Sequence, residues 1–202
     1  MIEMPALKRQ HLFSKDFELR PITVSDVDGK YQKWLNDAEV IRYLHVALTD
    51  RSPAALKRYV ENVVLDPNRF FYIISERETA VEIGTISFAL VPLHGVASYG
   101  FMIGDRDYWG TDAALQAQVI LLDFAFHELP VRKMRASVDI ANSPSQFNVK
   151  RLGFTKEGLF REECLTGPNG NEPSDILQYG LLAREWLDFS AKFDKLRNHS
   201  DT

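Results

Sequence analysis

One stretch, residues 100–154, constrains the fold of this chain more than any other. It opens as Gly-Phe-Met-Ile-Gly104, breaks at Asp105-Arg-Asp-Tyr-Trp-Gly110, and resumes as a helix over 111–129 with Ala114, Val119, Leu122 and Phe126 near one face. A strand over 132–140 follows, then Asn142-Ser-Pro-Ser145, a short helix over 145–151 and Gly153-Phe154. The order is strand, tight turn, helix, strand, short helix. The junction at 109–114 leaves several backbone N–H groups without intrahelical partners, which suits the helix start to a diphosphate.

The flanking sequence fills in an α+β domain. Residues 17–22 read as a strand, and Ser25 or Asp26 offers an N-cap for a helix over 27–35. Asn36-Asp37 makes a turn before a second helical piece at 38–44. Ser52-Pro53 starts a helix whose Leu56, Tyr59, Val60, Val63 and Val64 recur at helical spacing until Asp66-Pro67. Strands are expected at 69–75, 82–91 and 96–103, the last two joined by the Pro92–Gly95 turn, and further strands at 155–163 and 175–182 around Gly167-Pro-Asn-Gly170. A helix over 183–193 closes the chain. Strands grouped with inserted helices predict a central mixed, mostly antiparallel sheet with helices on both faces. Residues 17–193 are expected to form one domain, with 1–16 a loosely docked lead-in and 194–202 a polar tail.

Bulk properties exclude several classes. A net charge of −4 gives no general attraction to nucleic acid or anionic membrane. No apolar run of roughly 18 residues predicts a span. Cys164, the one cysteine, excludes an intramolecular disulfide and fits a reducing, cytoplasmic setting. Scattered histidines give no metal-ligand spacing. Self-association into a homodimer is left open.

In order and spacing the 100–154 segment resembles the acyl-CoA-binding half of the Gcn5-related N-acetyltransferases (GNAT), including the branch that acetylates ribosomal-protein alanines and amino sugars. The resemblance implies acetyl-CoA as donor, no metal, and direct transfer to a primary amine of a sugar, another small molecule or a protein N-terminus. It places the pantetheine arm along Phe101, Met102 and Ile103, with a bulge over 101–104 in which Gly104 tolerates irregular dihedrals. It places the diphosphate on Trp109, Gly110, Thr111, Asp112, Ala113 and Ala114. Relatives commonly have glycine where this chain has Asp112, and a carboxylate facing a diphosphate is repelled unless it turns to bond backbone N–H groups instead. The residues alone also fit an ordinary hairpin strand and a capped helix start.

Asn142 and Ser145 match the positions that contact the pantetheine or amine and serve the departing thiolate, while Val149 stands where many relatives carry tyrosine. Asn142 also reads as an N-cap with Pro144 in the first turn. The opening Tyr31-Gln-Lys-Trp34…Tyr43-Leu-His45 resembles the acceptor side of the family, making Trp34, Tyr43 and His45 candidate substrate contacts. Trp34 and Tyr43 equally fit helix packing. Candidate bases for the amine are His45, Asp105, Asp107, Glu162 and Glu163. Two alternatives stand beside acetyl transfer: a CoA-sensing or partner-binding domain without turnover, marked by Asp112, and use of a longer acyl donor.

Overall fold

The computed structural model describes residues 4–44, 50–166 and 170–197. Eight strands form one sheet in the order β1-β2-β3-β4-β5-β6-β8-β7. They are β1 (Leu12–Phe13), β2 (Phe17–Pro21), β3 (Arg69–Glu76), β4 (Glu82–Val91), β5 (Val96–Ile103), β6 (Lys133–Asp139), β7 (Thr155–Thr166) and β8 (Glu172–Leu182). Every neighbouring pair is antiparallel except β5–β6, which is parallel. The helices are α1 (Met4–Leu7), α2 (Lys30–Leu35), α3 (Pro53–Leu65), α4 (Ala113–Glu128), α5 (Ser143–Arg151) and α6 (Ala183–Phe189). A mixed, mostly antiparallel sheet covered on both faces is the α+β architecture expected from the sequence.

Alternation along the strands divides the core in two. Tyr72 and Ile74 of β3 face a large cluster with α4, Trp186 of α6, Val149 of α5 and Leu152 just after it. Ile73 of β3 and Met102 of β5 point the other way, into a cluster with Tyr31, Trp34 and Leu35 of α2 and Leu56 and Val60 of α3. A side-chain period of two makes this division automatic once register is set.

Several elements begin where their chemistry dictates. Ser52 caps α3, its Oγ accepting from Ala55 N at 3.3 Å, with Pro53 in the first turn. Gly95 turns from β4 to β5 at φ +57°, where a Cβ would meet the Pro130 carbonyl at 2.8 Å.

Other expectations are corrected. Residues 38–44 make isolated turns, such as Ile41 N to Asp37 O, and no helix. Asp37 Oδ1 accepts from the Glu39 and Val40 N–H groups, offering the backbone a local alternative to helix. The expected 27–35 helix is divided at Gly29 into a 3-10 turn (Val24–Asp28) and α2. The closing helix ends at Phe189 and continues as a 3-10 turn (Ser190–Leu196). Helix α4 is buried nearly all round from Ala113 to Phe126, and the one-sided stripe is absent because the amino-terminal segment and the last turn cover its back. That cover involves the segment expected to be loose: β1 pairs with β2, and Leu7 and Leu12 are buried. Beyond Phe193, Arg197 binds both carboxylate oxygens of Asp123 at 2.8 and 3.0 Å.

At Gly84, opposite Ile103, a Cβ would stand 2.2 Å from the Met102 carbonyl oxygen, a backbone atom held in the ladder. Gly84→Ala is expected to lower unfolding free energy by about 1–3 kcal/mol, measured by urea denaturation, because the two strands must move apart.

Candidate active site

Strand β5 pairs with β4 along its whole length, from Val96↔Val91 to Ile103↔Gly84. Its other edge pairs with β6 only from Val96↔Lys133 to Tyr99↔Ala136. Beyond that point β6 pairs with β8 alone, through Asp139↔Ile176. Residues 100–103 and 137–139 therefore diverge, and between them the edge of β5 carries backbone N–H and C=O groups that no strand uses. Because β5 and β6 are parallel, the loop leading to α4 and the loop leading to α5 leave from the same end of the sheet. Crevices of this kind, outside the carboxyl ends of parallel strands, receive ligands and helix starts together.

No bulge interrupts the pairing of residues 101–103; register with β4 is regular through Ile103. The irregularity comes one residue later, where Gly104 N and Asp105 N both donate to the Ile83 carbonyl, at 2.8 and 3.0 Å. Gly104 does not have positive φ. Its lack of a side chain serves contact instead: a Cβ there would lie 2.2 Å from the ring of Trp34. Trp34 is accordingly 7% exposed, packed under the end of β5 and not presented as a stacking surface.

The loop after β5 is built by short-range bonds. Asp105 caps a 3-10 turn (Arg106–Tyr108) through Asp107 N, and Lys30 lies 3.4 Å from its other oxygen. Trp109 donates from Nε1 to the Ile103 carbonyl at 2.8 Å while its ring stays half exposed, with the Arg106 guanidinium 5.9 Å from the ring centre. Gly110 has φ +77°, and nothing lies within 4 Å of where its Cβ would be. Thr111 Oγ1 donates to the Tyr108 carbonyl at 2.7 Å and accepts from Ala113 N at 3.2 Å.

Asp112 occupies the N-cap position of α4, yet its side chain is exposed and accepts no capping hydrogen bond. The turn of the carboxylate onto backbone N–H groups, one way for this loop to accommodate it, is not adopted; the Thr111 hydroxyl takes that part. Gln116 N makes the first intrahelical bond, to the Asp112 carbonyl at 2.9 Å. The N–H groups of Ala114 and Leu115 lie ahead of that bond and point out of the helix end.

At the other rim, Asn142 caps α5, its Oδ1 accepting from Ser145 N at 3.1 Å. Asp139, buried at 2% exposure, accepts from Ala141 N through Oδ1 at 2.8 Å and fixes the exit from β6. Ser145 is half buried, and Val149 is buried in the core, so no hydroxyl stands there. Alongside, a cleft of about 650 Å³ is lined by Tyr43, Arg42, Arg51, Asp139 and Glu172 among others. Of the proposed acceptor contacts, Tyr43 lines this cleft, Trp34 lies beneath β5, and His45 falls outside the described residues. Glu162 and Glu163 are exposed on β7. The buried acid of this cleft, Asp139, had no signal in the sequence beyond its place before Asn142. Burial and the nearby charges of Glu163 and Asp139 push the Cys164 thiol up, which keeps it protonated and a poor nucleophile.

The family model for an acetyltransferase (GNAT) domain matches residues 16–155. The chain belongs to the GNAT acetyltransferase family. It is an N-acetyltransferase by that membership, and its relatives carry the same description. It is 32% identical over 181 residues to the uncharacterized N-acetyltransferase p20 of Bacillus licheniformis, covering 87% of this chain and 97% of that one. It is 26% identical to the uncharacterized N-acetyltransferase YnaD of Bacillus subtilis (strain 168), covering 87% and 99%. Among solved structures, this GNAT fold is similar to spermidine N-acetyltransferase from Vibrio cholerae in complex with CoA and spermine, with TM-score 0.77, 18% identity, and 85% and 98% of the two chains covered. Ribosomal-protein-S5-alanine acetyltransferase from Vibrio fischeri is similar at TM-score 0.75 and 16% identity, covering 88% and 98%. At these identities the structures speak for the fold. Among the described residues, no helix is long and apolar enough to cross a membrane and no group of His, Cys, Asp and Glu is placed to hold a metal ion.

A sequence-distant link joins the rims of this GNAT site. Arg106, in the loop before α4, donates to Asp37, in the turn that leads to the cleft at Tyr43, at 2.6 Å to Oδ2. Its hydrogen bond holds the Asp37 carboxyl below the usual carboxylate range. The attraction is therefore complete above about pH 4 and is lost as pH falls through the depressed pKa. Arg106→Gln is expected to raise the Asp37 pKa toward its ordinary value, read by carboxyl-carbon NMR titration.

Proposed function

We propose that this GNAT enzyme binds acetyl-CoA between β5 and β6 and transfers its acetyl group directly to a primary amine held in the neighbouring cleft. The parting of β5 from β6, with the α4 start at the same end, is the observation that carries this reading. Along Phe101, Met102 and Ile103 the open edge offers the Phe101 N–H and C=O and the Ile103 N–H to a pantetheine arm; the Met102 groups face β4 and the Ile103 carbonyl is taken by Trp109. Gly110 and Thr111 lead into α4, whose first residues are Ala113 and Ala114, and the outward N–H groups of that helix end and its dipole favour a diphosphate. Trp109 closes the loop over Ile103. Bound acetyl-CoA supplies a thioester, an acyl group already activated toward amines.

The remaining chemistry falls to the chain. A backbone N–H on the β5 edge is suited to the developing oxyanion, a contribution of a few kcal/mol where such a donor is well aimed. Asn142 orients the first turn of α5, and the Ser145 hydroxyl is the donor available for the departing sulfur. Tyr43 and the carboxylates of Glu39 and Glu172, beside Arg42 and Arg51, give the acceptor cleft a mixed-charge surface for an amine that enters as a cation and reacts once neutral, while buried Asp139 holds the exit from β6. A cytoplasmic enzyme acting on amino sugars, polyamines or protein N-termini fits this chemistry.

Exposed and uncapped, Asp112 favours a second reading: a CoA sensor without turnover, in which the carboxylate weakens donor binding. Thiol release from acetyl-CoA across a panel of amines separates the two. Turnover on any amine supports the enzyme; stabilisation by CoA with no thiol released over the whole panel supports the sensor. Asp112→Gly is expected to tighten CoA binding about fivefold or more, since a charge repulsion near 1 kcal/mol is removed. Unchanged affinity in calorimetry would show that the carboxylate stands clear of the anion. Ser145→Ala is expected to reduce kcat with little change in the KM for acetyl-CoA, as for a group used in the transition state.

A further inference from the structure

Two glutamines, Gln116 and Gln118, are completely buried in α4 among leucine, valine and alanine. Gln116 holds Asp16 before β2, accepting from Asp16 N at 3.1 Å and donating to its Oδ2 at 2.7 Å. Gln118 is bonded differently. Its Oε1 accepts from the Tyr99 hydroxyl at 2.9 Å, and its Nε2 donates to the Ala114 carbonyl at 2.8 Å. An apolar side chain of similar volume would fill the same space without desolvating an amide.

Both partners of Gln118 sit at decisive places. Tyr99 is the last residue of β5 paired with β6 before the strands part. Its ring lies 6.5 Å from that of Phe101, on the open segment, and 5.5 Å from that of Phe154, just beyond α5. Burial pushes the Tyr99 pKa up, so the hydroxyl remains a donor. The Ala114 carbonyl belongs to the same planar peptide unit as the Leu115 N–H, which precedes the first intrahelical bond. A hydrogen bond to that carbonyl fixes the plane and polarises the N–H at its other end.

We infer that Gln118 is a positioning residue for the donor site, holding the Leu115 N–H in a fixed relation to the point where β5 and β6 part. This rests on the reading that CoA lies in that crevice. Tyr99 ties Gln118 to the strand; Gln118 ties Tyr99 to the first turn of α4. The diphosphate end and the pantetheine end of the ligand are thereby set to one spacing. Gln116, bonded away from the crevice, has no such part.

The test compares wild type, Tyr99→Phe, Gln118→Leu, the double variant and Gln116→Leu. Two quantities are read: the thermal midpoint without ligand and the Kd for CoA by calorimetry. Gln118→Leu is expected to weaken CoA about tenfold and Tyr99→Phe about threefold, the size of one or two hydrogen bonds. The double variant should match Gln118→Leu, because Tyr99 acts through Gln118. Gln116→Leu should lower the midpoint and leave Kd unchanged. If Tyr99→Phe and Gln118→Leu lower only the midpoint, the positioning role is overturned and the donor site stands. Should Gln118→Leu fail to fold, an unchanged Kd in Tyr99→Phe overturns the inference by itself. Failure of the wild type to bind CoA would instead overturn the donor-site reading beneath it.

Discussion

The structure depends on a parallel pair of strands that stay together only briefly. Strands β5 and β6 share a ladder from Val96 to Tyr99 and then separate, each keeping its outer partner, β4 or β8. A sheet ordinarily satisfies its backbone groups edge to edge. Here one interior seam is left open on one side; Trp109 meets the Ile103 carbonyl, and the other polar groups of the seam face the opening. The parallel orientation also sends α4 and α5 away from the same end, so their capped starts frame the opening.

Features governed by local chemistry were legible in the sequence. The Pro92–Gly95 turn, the Ser52-Pro53 start of α3 and the Asn142 cap of α5 each follow from a residue's own dihedral or hydrogen-bond preference, and each is found. Features governed by tertiary contact were not. Apolar periodicity at 38–44 resembles a helix, but the Asp37 carboxylate captures the backbone there first. Nothing local shows that α4 is enclosed, because its cover comes from Leu7 and Leu12 at one end of the chain and Phe193 at the other. The split of β5 from β6 was not foreseen, since both segments have ordinary strand composition and the resemblance gave only a bulge over 101–104.

The helix start before α4 shows the same division. Its location was evident from Gly110 and the apolar run that follows, whereas the distribution of capping duties was not. Thr111 and Asp112 are both competent caps, and sequence preference favours the aspartate. The fold gives the work to Thr111, whose hydroxyl reaches from the Tyr108 carbonyl to the Ala113 N–H, and leaves Asp112 facing solvent. Which of two adjacent caps is used depends on the path of the preceding turn, here closed by Trp109 on Ile103.

The contact of Trp34 with Gly104 carries a mechanical implication. The Trp34 indole occupies the place a Cβ at Gly104 would take, so α2 and the tip of β5 meet with only that ring between them. Dense contacts of this sort transmit displacement without absorbing it. A tilt of α2, whose carboxyl end leads into the turn beside Tyr43, would carry the strand tip along as one rigid body. The turn beside Tyr43 and the β5 wall of the crevice are thus geared together by one ring of carbon.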